Sequence, residues 1–280
     1  MLKNVKVVFL ATMLWMTIGI PGLSKADTML GIIMDSSGSI SNSEFNLMAT
    51  GISNALNTFL PTDGSFSVGV VQFSSSAATT VAPTIIDSQS TLTSVTNALQ
   101  VRAFGGSTSI GDGIQLMNDN ADAAGWFVDP NDDVLYNVIT DGQNNTNTAL
   151  LPTAVNNARN LGVDGVSAEG IGTGVDTAEL LSIIHPNPNA GIVSPGNIPD
   201  PRSQGFVVLA NDFSDFEAVF AAKIQQVVTP GPGPSPGPGP GPSPVPGPGP
   251  APVPEPGTIF LFGSGLMGLV WWKIKKSAAF

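Results

Sequence analysis

Two carboxylates and several hydroxyls sit where chemistry is built in alternating strand–helix proteins. Asp35-Ser36-Ser37-Gly38-Ser39 follows an apolar run at 29–34 and stands just ahead of Ser41-Asn42-Ser43-Glu44. That second segment reads as a capping box, in which the Ser41 hydroxyl and the Glu44 carboxylate satisfy backbone N–H groups at a helix start. Gly105-Gly106-Ser107-Thr108 precedes a helical pattern, and Thr140-Asp141-Gly142 follows a second apolar run at 134–140. Oxygen donors of this kind suit a hard divalent cation: Mg²⁺ first, with Mn²⁺ or Ca²⁺ as alternatives. Gly38 lets the first turn bend so that Ser37 and Ser39 face one point. Two carboxylates and neutral hydroxyls leave such an ion electrophilic, so an acidic group from a partner completes its shell. Other chemistries lack their residues. The chain has no cysteine and one histidine, which removes thiol nucleophiles, Cys-ligated zinc and His-rich metal sites. No nucleophile–base pair is visible, so the expectation is a protein that is not an enzyme.

The elements that must position these residues follow from periodicity. Phe45, Met48, Ile52, Leu56 and Phe59 recur at helical spacing after the capping box. Segment 66–73 reads as a buried strand, and 166–171 and 206–209 read as further strands beside the apolar runs at 29–34 and 134–140. Helices are predicted over 90–101, 109–123 and 151–161, the last ending at Gly162, a residue suited to a left-handed cap. A final helix carries Phe213, Phe216, Phe220, Ile224 and Val227 on one face. Strands alternating with helices imply an α/β fold, a doubly wound and mostly parallel sheet covered on both sides. Ligands of such sheets bind at the carboxyl ends of strands, at the topological switch point. Residues 74–80 are polar and small and read as a loop or edge strand. Residues 185–205 read as a long surface loop holding His185, and Asp129, Asp132 and Asp133 as a solvated acidic turn.

The pattern Asp-x-Ser-x-Ser, a distant Thr and a distant Asp resembles the von Willebrand factor A domain and its metal-ion-dependent adhesion site. The matching positions are Asp35, Ser37, Ser39, Thr108 and Asp141. The resemblance implies a Rossmann-like fold with the first strand beside the 134–140 strand. It also implies Ser37, Ser39 and Thr108 as direct or near-direct ligands, with Asp35 and Asp141 acting largely through water.

The ends of the chain read as addresses. Lys3 and Lys6, an apolar run at 7–20 and the small-x-small site Ser24-Lys25-Ala26 predict a signal peptide over 1–26. The domain then covers 27–229. From 230 to 256 Pro occupies every even position. Helix and ladder are both barred there, and at polyproline pitch the linker reaches about 80 Å. Residues 257–272 carry no charge and end in a Trp pair, predicting a transmembrane helix, and the basic tail 273–280 stays cytoplasmic by the positive-inside rule. Pro254-Glu255-Pro256, the apolar helix and the basic tail together resemble the PEP-CTERM sorting signal of Gram-negative bacteria. That implies processing by exosortase and a cell-envelope or extracellular destination, with membrane anchorage before processing.

Charge sharpens the partner class. All 21 acidic residues lie between Asp27 and Glu255, and only Arg102, Arg159, Arg202 and Lys223 oppose them there. Such a surface repels phosphate backbones, so no nucleic-acid partner is expected. Two motif matches carry nothing: Gly-x-Ser-x-Gly at 233–237 falls in the Pro-rich linker, and Gly-x-Gly-x-x-Gly at 263–268 falls in the apolar segment. The expected function is an exported adhesion protein that binds an acidic-residue-bearing protein or matrix ligand through a divalent cation. The alternative is a structural protein of an exopolysaccharide or biofilm matrix whose metal only stabilises the fold.

Overall fold

A computed structural model describes residues 26–103, 105–186 and 191–229. The predicted signal peptide, Pro-rich linker, transmembrane helix and basic tail lie outside the described residues, apart from Ala26 at the edge of the first. Among the described residues no helix is long and apolar enough to cross a membrane.

The strands are β1 (Thr28–Asp35), β2 (Phe66–Phe73), β3 (Ala77–Ile85), β4 (Asp133–Thr140), β5 (Gly165–Ile171), β6 (Gly191–Val193) and β7 (Phe206–Ala210). They form one sheet in the order β3-β2-β1-β4-β5-β7-β6. Every pairing is parallel except β2 with β3. The chain runs outward from β1 through β2 to β3, then returns to place β4 on β1's other side. The switch point therefore lies between β1 and β4, the adjacency the family resemblance implies.

The helices are α1 (Asn42–Phe59), α2 (Gln89–Leu99), α3 (Ile110–Ala123), α4 (Leu150–Leu161), α5 (Thr177–Ile183) and α6 (Phe213–Val228). On one face of the sheet α1, α2 and α6 bury Phe45, Met48, Ile52, Leu92, Phe216 and Phe220 against Leu30, Ile32 and Val70. On the other, α3, α4 and α5 bury Ile110, Met117, Leu151 and Leu180 against Ile33, Tyr136 and Val138. β1 and β2 are buried along their whole length, which is why both read as mostly apolar segments. The capping box forms as expected: Ser41 N–H donates to Glu44 Oε2 at 2.8 Å and Glu44 N–H to Ser41 Oγ at 3.3 Å. Gly162 closes α4 at φ 105°.

Three elements depart from the sequence reading. The edge-strand alternative holds from Ala77 onward: β3 pairs antiparallel with β2 and is only partly buried, so it lacks an apolar run. The seven-residue α5 is held by its cap, with Asp176 accepting from the N–H groups of Ala178 and Glu179. The expectation of one long surface loop at 185–205 is corrected. His185 exchanges backbone hydrogen bonds with Val166, β6 extends the sheet edge, and Pro195–Asn197 forms a 3₁₀ turn. Backbone pairing rather than side-chain hydrophobicity orders the described parts of that segment, 185–186 and 191–205. The acidic turn is tied down as well: Asp129 accepts from Asn131, and Asp133 pairs with Arg202.

Candidate metal centre

Asp35 is the last residue of β1, and Asp141 follows the last residue of β4. The two central strands thus deliver both carboxylates to the switch point. Asp35 is fully buried and its two oxygens are held separately. Oδ1 accepts the Ser37 N–H at 2.8 Å, and Oδ2 accepts the Thr140 hydroxyl at 2.6 Å. The Ser37 and Ser39 hydroxyls are 3.0 Å apart, and the Ser39 hydroxyl donates to Asp141 Oδ1 at 2.7 Å. Ser37 is buried, Asp141 half-buried and Ser39 exposed, so the cluster opens to solvent on the Ser39 side.

Thr108 arrives from the loop before α3. Its N–H donates to Asn145 Oδ1 at 2.9 Å, and its carbonyl accepts the N–H groups of Asn145 and Thr146. Its side chain turns toward the Asp141-Gly142 corner: a Cβ added to Gly142 would lie 3.7 Å from Thr108 Oγ1. Asn144 Oδ1 accepts the Ile110 N–H at 2.8 Å, fixing the first turn of α3 in the same way.

Two glycines bring the loops together. Gly38 N–H donates to the Gly106 carbonyl at 2.7 Å. A Cβ on Gly38 would sit 3.1 Å from that carbonyl oxygen. Gly106 has φ +129°, and a Cβ there would meet Ser75 Oγ at 2.6 Å. The loop after β2 supports both neighbours, with Ser75 Oγ accepting the Ser107 N–H and the Ser74 carbonyl accepting the Ser109 N–H.

Arg102 clasps the Asp35–Ser39 turn from behind. Its Nη2 donates to the carbonyls of Ser36, at 3.1 Å, and Ser37, its Nη1 donates to Asn42 Oδ1, and its guanidinium stands 5.7 Å from the Phe45 ring centroid. The electrostatics are those of two acids sharing a pocket. Burial pushes the Asp35 carboxyl up to about 6, opposed by its hydrogen bonds from Ser37 and Thr140 and reinforced by the charge of Asp141. Burial also raises Asp141, opposed by the Ser39 hydrogen bond and by Arg102.

All five residues singled out from sequence, Asp35, Ser37, Ser39, Thr108 and Asp141, are therefore brought to one end of the sheet. Sequence reasoning gave no role to Thr140, Arg102, Asn144 or Asn145. Thr140 adjoins Asp141, and Arg102 is one of four basic residues in the domain, which were usable signals. Asn144 and Asn145 carry none, because their function is to hydrogen-bond backbone groups of a distant loop. Among the described residues no three His, Asp or Glu side chains gather to hold a metal elsewhere.

Comparison with known proteins gives this arrangement its context. The family model for the von Willebrand factor type A domain matches residues 30–221, and that for the PEP-CTERM protein-sorting motif matches 252–276. No curated protein matches the chain in sequence. Among solved structures, proximal thread matrix protein 1 from the mussel byssus is similar with a TM-score of 0.56 at 22% identity, over 71% of this chain and 47% of that one. A structure of that protein with a zinc-occupied MIDAS motif gives 0.54 at 20%, over 73% and 46%. The pilus adhesin SpaC from Lactobacillus rhamnosus GG, in its open conformation, gives 0.52 at 15%, over 72% and 30%. This chain spans about half the length of the byssus protein and less of the adhesin, and identities this low bear on the fold alone. With the sheet order, the switch-point site and a family match across most of the domain, the chain belongs to the von Willebrand factor type A domain family and carries a PEP-CTERM sorting motif.

Proposed function

We propose that this is an exported surface or matrix protein whose domain binds an acidic group of a protein or matrix ligand through a divalent cation. The observation that carries the reading is the convergence of Asp35, Ser37, Ser39, Thr108 and Asp141 at the switch point. The donor set fits a hard cation. Ser37, Ser39 and Thr108 supply neutral hydroxyls, and Thr108 Oγ1 faces the Asp141 corner. Asp35 is already engaged by Ser37 and Thr140, which suits a carboxylate that acts through water. When bound, the ion supplies a positive, under-neutralised centre on an otherwise acidic surface. Mg²⁺ is the proposed ion, ahead of Mn²⁺ and Ca²⁺, because small hydroxyl-rich sites with retained water suit it.

The sorting motif at 252–276 supports export and delivery to the cell envelope. We assign exosortase as the processing enzyme at Pro254-Glu255-Pro256, with Lys273, Lys275 and Lys276 on the cytoplasmic side of the anchor. The reading assigns no catalysis. The Ser37, Ser39 and Thr140 hydroxyls bond to one another or to carboxylates, and His185 lies on a backbone bridge to Val166.

The test is retention of the purified protein on matrix shed by the producing cell, with Mg²⁺ or with chelator, for wild type and Asp141→Ala. Retention that needs both the ion and Asp141 supports the reading. Retention unchanged by chelator, with thermal stability lowered, would leave the ion only a staple between loops and favour a purely structural matrix role.

A further inference from the structure

Five buried polar atoms with no hydrogen-bond partner outside their own cluster gather at one place on the α6 side of the sheet. They are both ends of the Asn137 amide, both Glu169 oxygens and Lys223 Nζ. Buried polar groups are nearly always paired, so such a concentration calls for a chemical reason. The sheet register explains how the three meet. Asn137 lies opposite Ser167, and Ile139 opposite Glu169. Residues two apart share a face, so Asn137 and Glu169 both project to the α6 side, among Leu135, Ile139 and Ile171. Lys223 descends from α6 and places Nζ 3.1 Å from Glu169 Oε1 and 5.6 Å from the Phe206 ring centroid. The Asn137 amide lies against the same Glu169 carboxyl. None of the three is more than 1% exposed.

We propose that Lys223 and Asn137 become joined by an intramolecular isopeptide bond, with Glu169 as the proton carrier. The Lys223 amine attacks Asn137 Cγ. The Nζ–Cγ bond forms, the Cγ–Nδ2 bond breaks, and Glu169 passes the proton lost by the amine to the departing nitrogen, which leaves as ammonia. Nothing is oxidised or reduced and no cofactor is consumed. Burial pushes the Glu169 acid up and the Lys223 amine down, each partly offset by the other. A neutral acid beside a free amine is the state the step requires. The product also keeps the polar atoms of the cluster paired with one another. Nδ2 is gone, the new amide N–H donates to one Glu169 oxygen, and the Glu169 O–H donates to the remaining carbonyl. The bond ties β4, which carries the metal centre, to α6, the last described element before the Pro-rich segment.

The test is mass spectrometry of the full chain. Trypsin cuts after Arg102, Arg159, Arg202 and Lys223. An acylated Lys223 resists cleavage, so the peptide 103–159 should appear joined to a peptide that begins at Ser203 and runs through Lys223. The intact mass should fall by about 17 Da, one ammonia. Glu169→Gln should leave the two peptides separate, and Lys223→Met or Asn137→Leu should do the same. Wild-type protein of unaltered mass, cut normally after Lys223, would overturn the proposal whether or not any variant folds. Loss of ammonia without the joined peptide, as in cyclisation of Asn137 on its own backbone, would overturn it too. A Glu169→Gln protein that still links would remove Glu169 from the step.

Discussion

Asp35 is a single residue through which a bound ion would act on the stability of the domain. Its carboxyl is pushed up to about 6 by burial, against an ordinary value near 4. A raised carboxyl favours the folded state while protonated, so its contribution is full below about pH 4 and is lost as pH rises through about 6. The cation-free protein should therefore lose on the order of 3 kcal/mol from this group across that window. Asp35→Asn should flatten that part of the stability–pH curve, measured by urea unfolding in chelator. A bound cation would reverse the sign, because it would favour the ionised carboxylates. Its affinity should fall severalfold between pH 7.5 and pH 5 as protons compete, read by titration calorimetry. Thr140→Val tests the same residue from the other side. It leaves a buried Asp35 oxygen without its 2.6 Å donor and should cost about 1–3 kcal/mol, seen as an earlier midpoint in urea.

At the scale of elements, the turns hold the site and the strands aim it. Gly106 is the most exposed to test, with its φ of +129° and no room for a Cβ beside Ser75 Oγ. Gly106→Ala should shift the Thr108 loop, cost about 1–3 kcal/mol, and weaken the cation more than Ser107→Ala does, measured by the same calorimetry. The elements explain what could be read in advance. Every strand buried along most of its length, β1, β2, β4, β5 and β7, was legible, because burial on both faces favours a mostly apolar segment. The long helices were legible from their faces and caps: the Ser41–Glu44 box, Gly162, and the Phe213–Val227 stripe. α5 and β6 were not, and β3 only as one of two alternatives, since an edge strand, a seven-residue helix and a three-residue strand leave little apolar pattern to read. The site followed the same division. The side chains of the candidate site stand in a spaced motif, whereas Arg102, Asn144 and Asn145 bond to the backbone of distant loops and leave no pattern to read.

For the whole molecule, the strand order creates the site, since only the β1–β4 switch brings Asp35 and Asp141 together. Charge decides what can approach it. Among the described residues the basic side chains are engaged internally: Arg102 with the Ser36 and Ser37 carbonyls, Arg159 with the Ile184 carbonyl, Arg202 with Asp133 and Asp200, and Lys223 with Glu169. The surface left to solvent is therefore acidic, and a bound ion would be its main source of positive potential. In chelator the protein should not bind a polyanionic resin even at low salt. Replacing Pro254, Glu255 and Pro256 by alanine should hold the protein in the cell membrane, measured by fractionating cells and medium.

The central claim is that Asp35, Ser37, Ser39, Thr108 and Asp141 form a working cation site. Thermal unfolding of the wild type and Asp141→Ala, each with Mg²⁺, Mn²⁺ or chelator, tests it most directly. An ion at a hundred times its dissociation constant adds about 2.7 kcal/mol, or roughly 5–10 °C for a domain of this size. A saturable rise of that order in the wild type, absent from Asp141→Ala, is the predicted result. Superimposable curves with and without ion, or an equal rise in the variant, would contradict it.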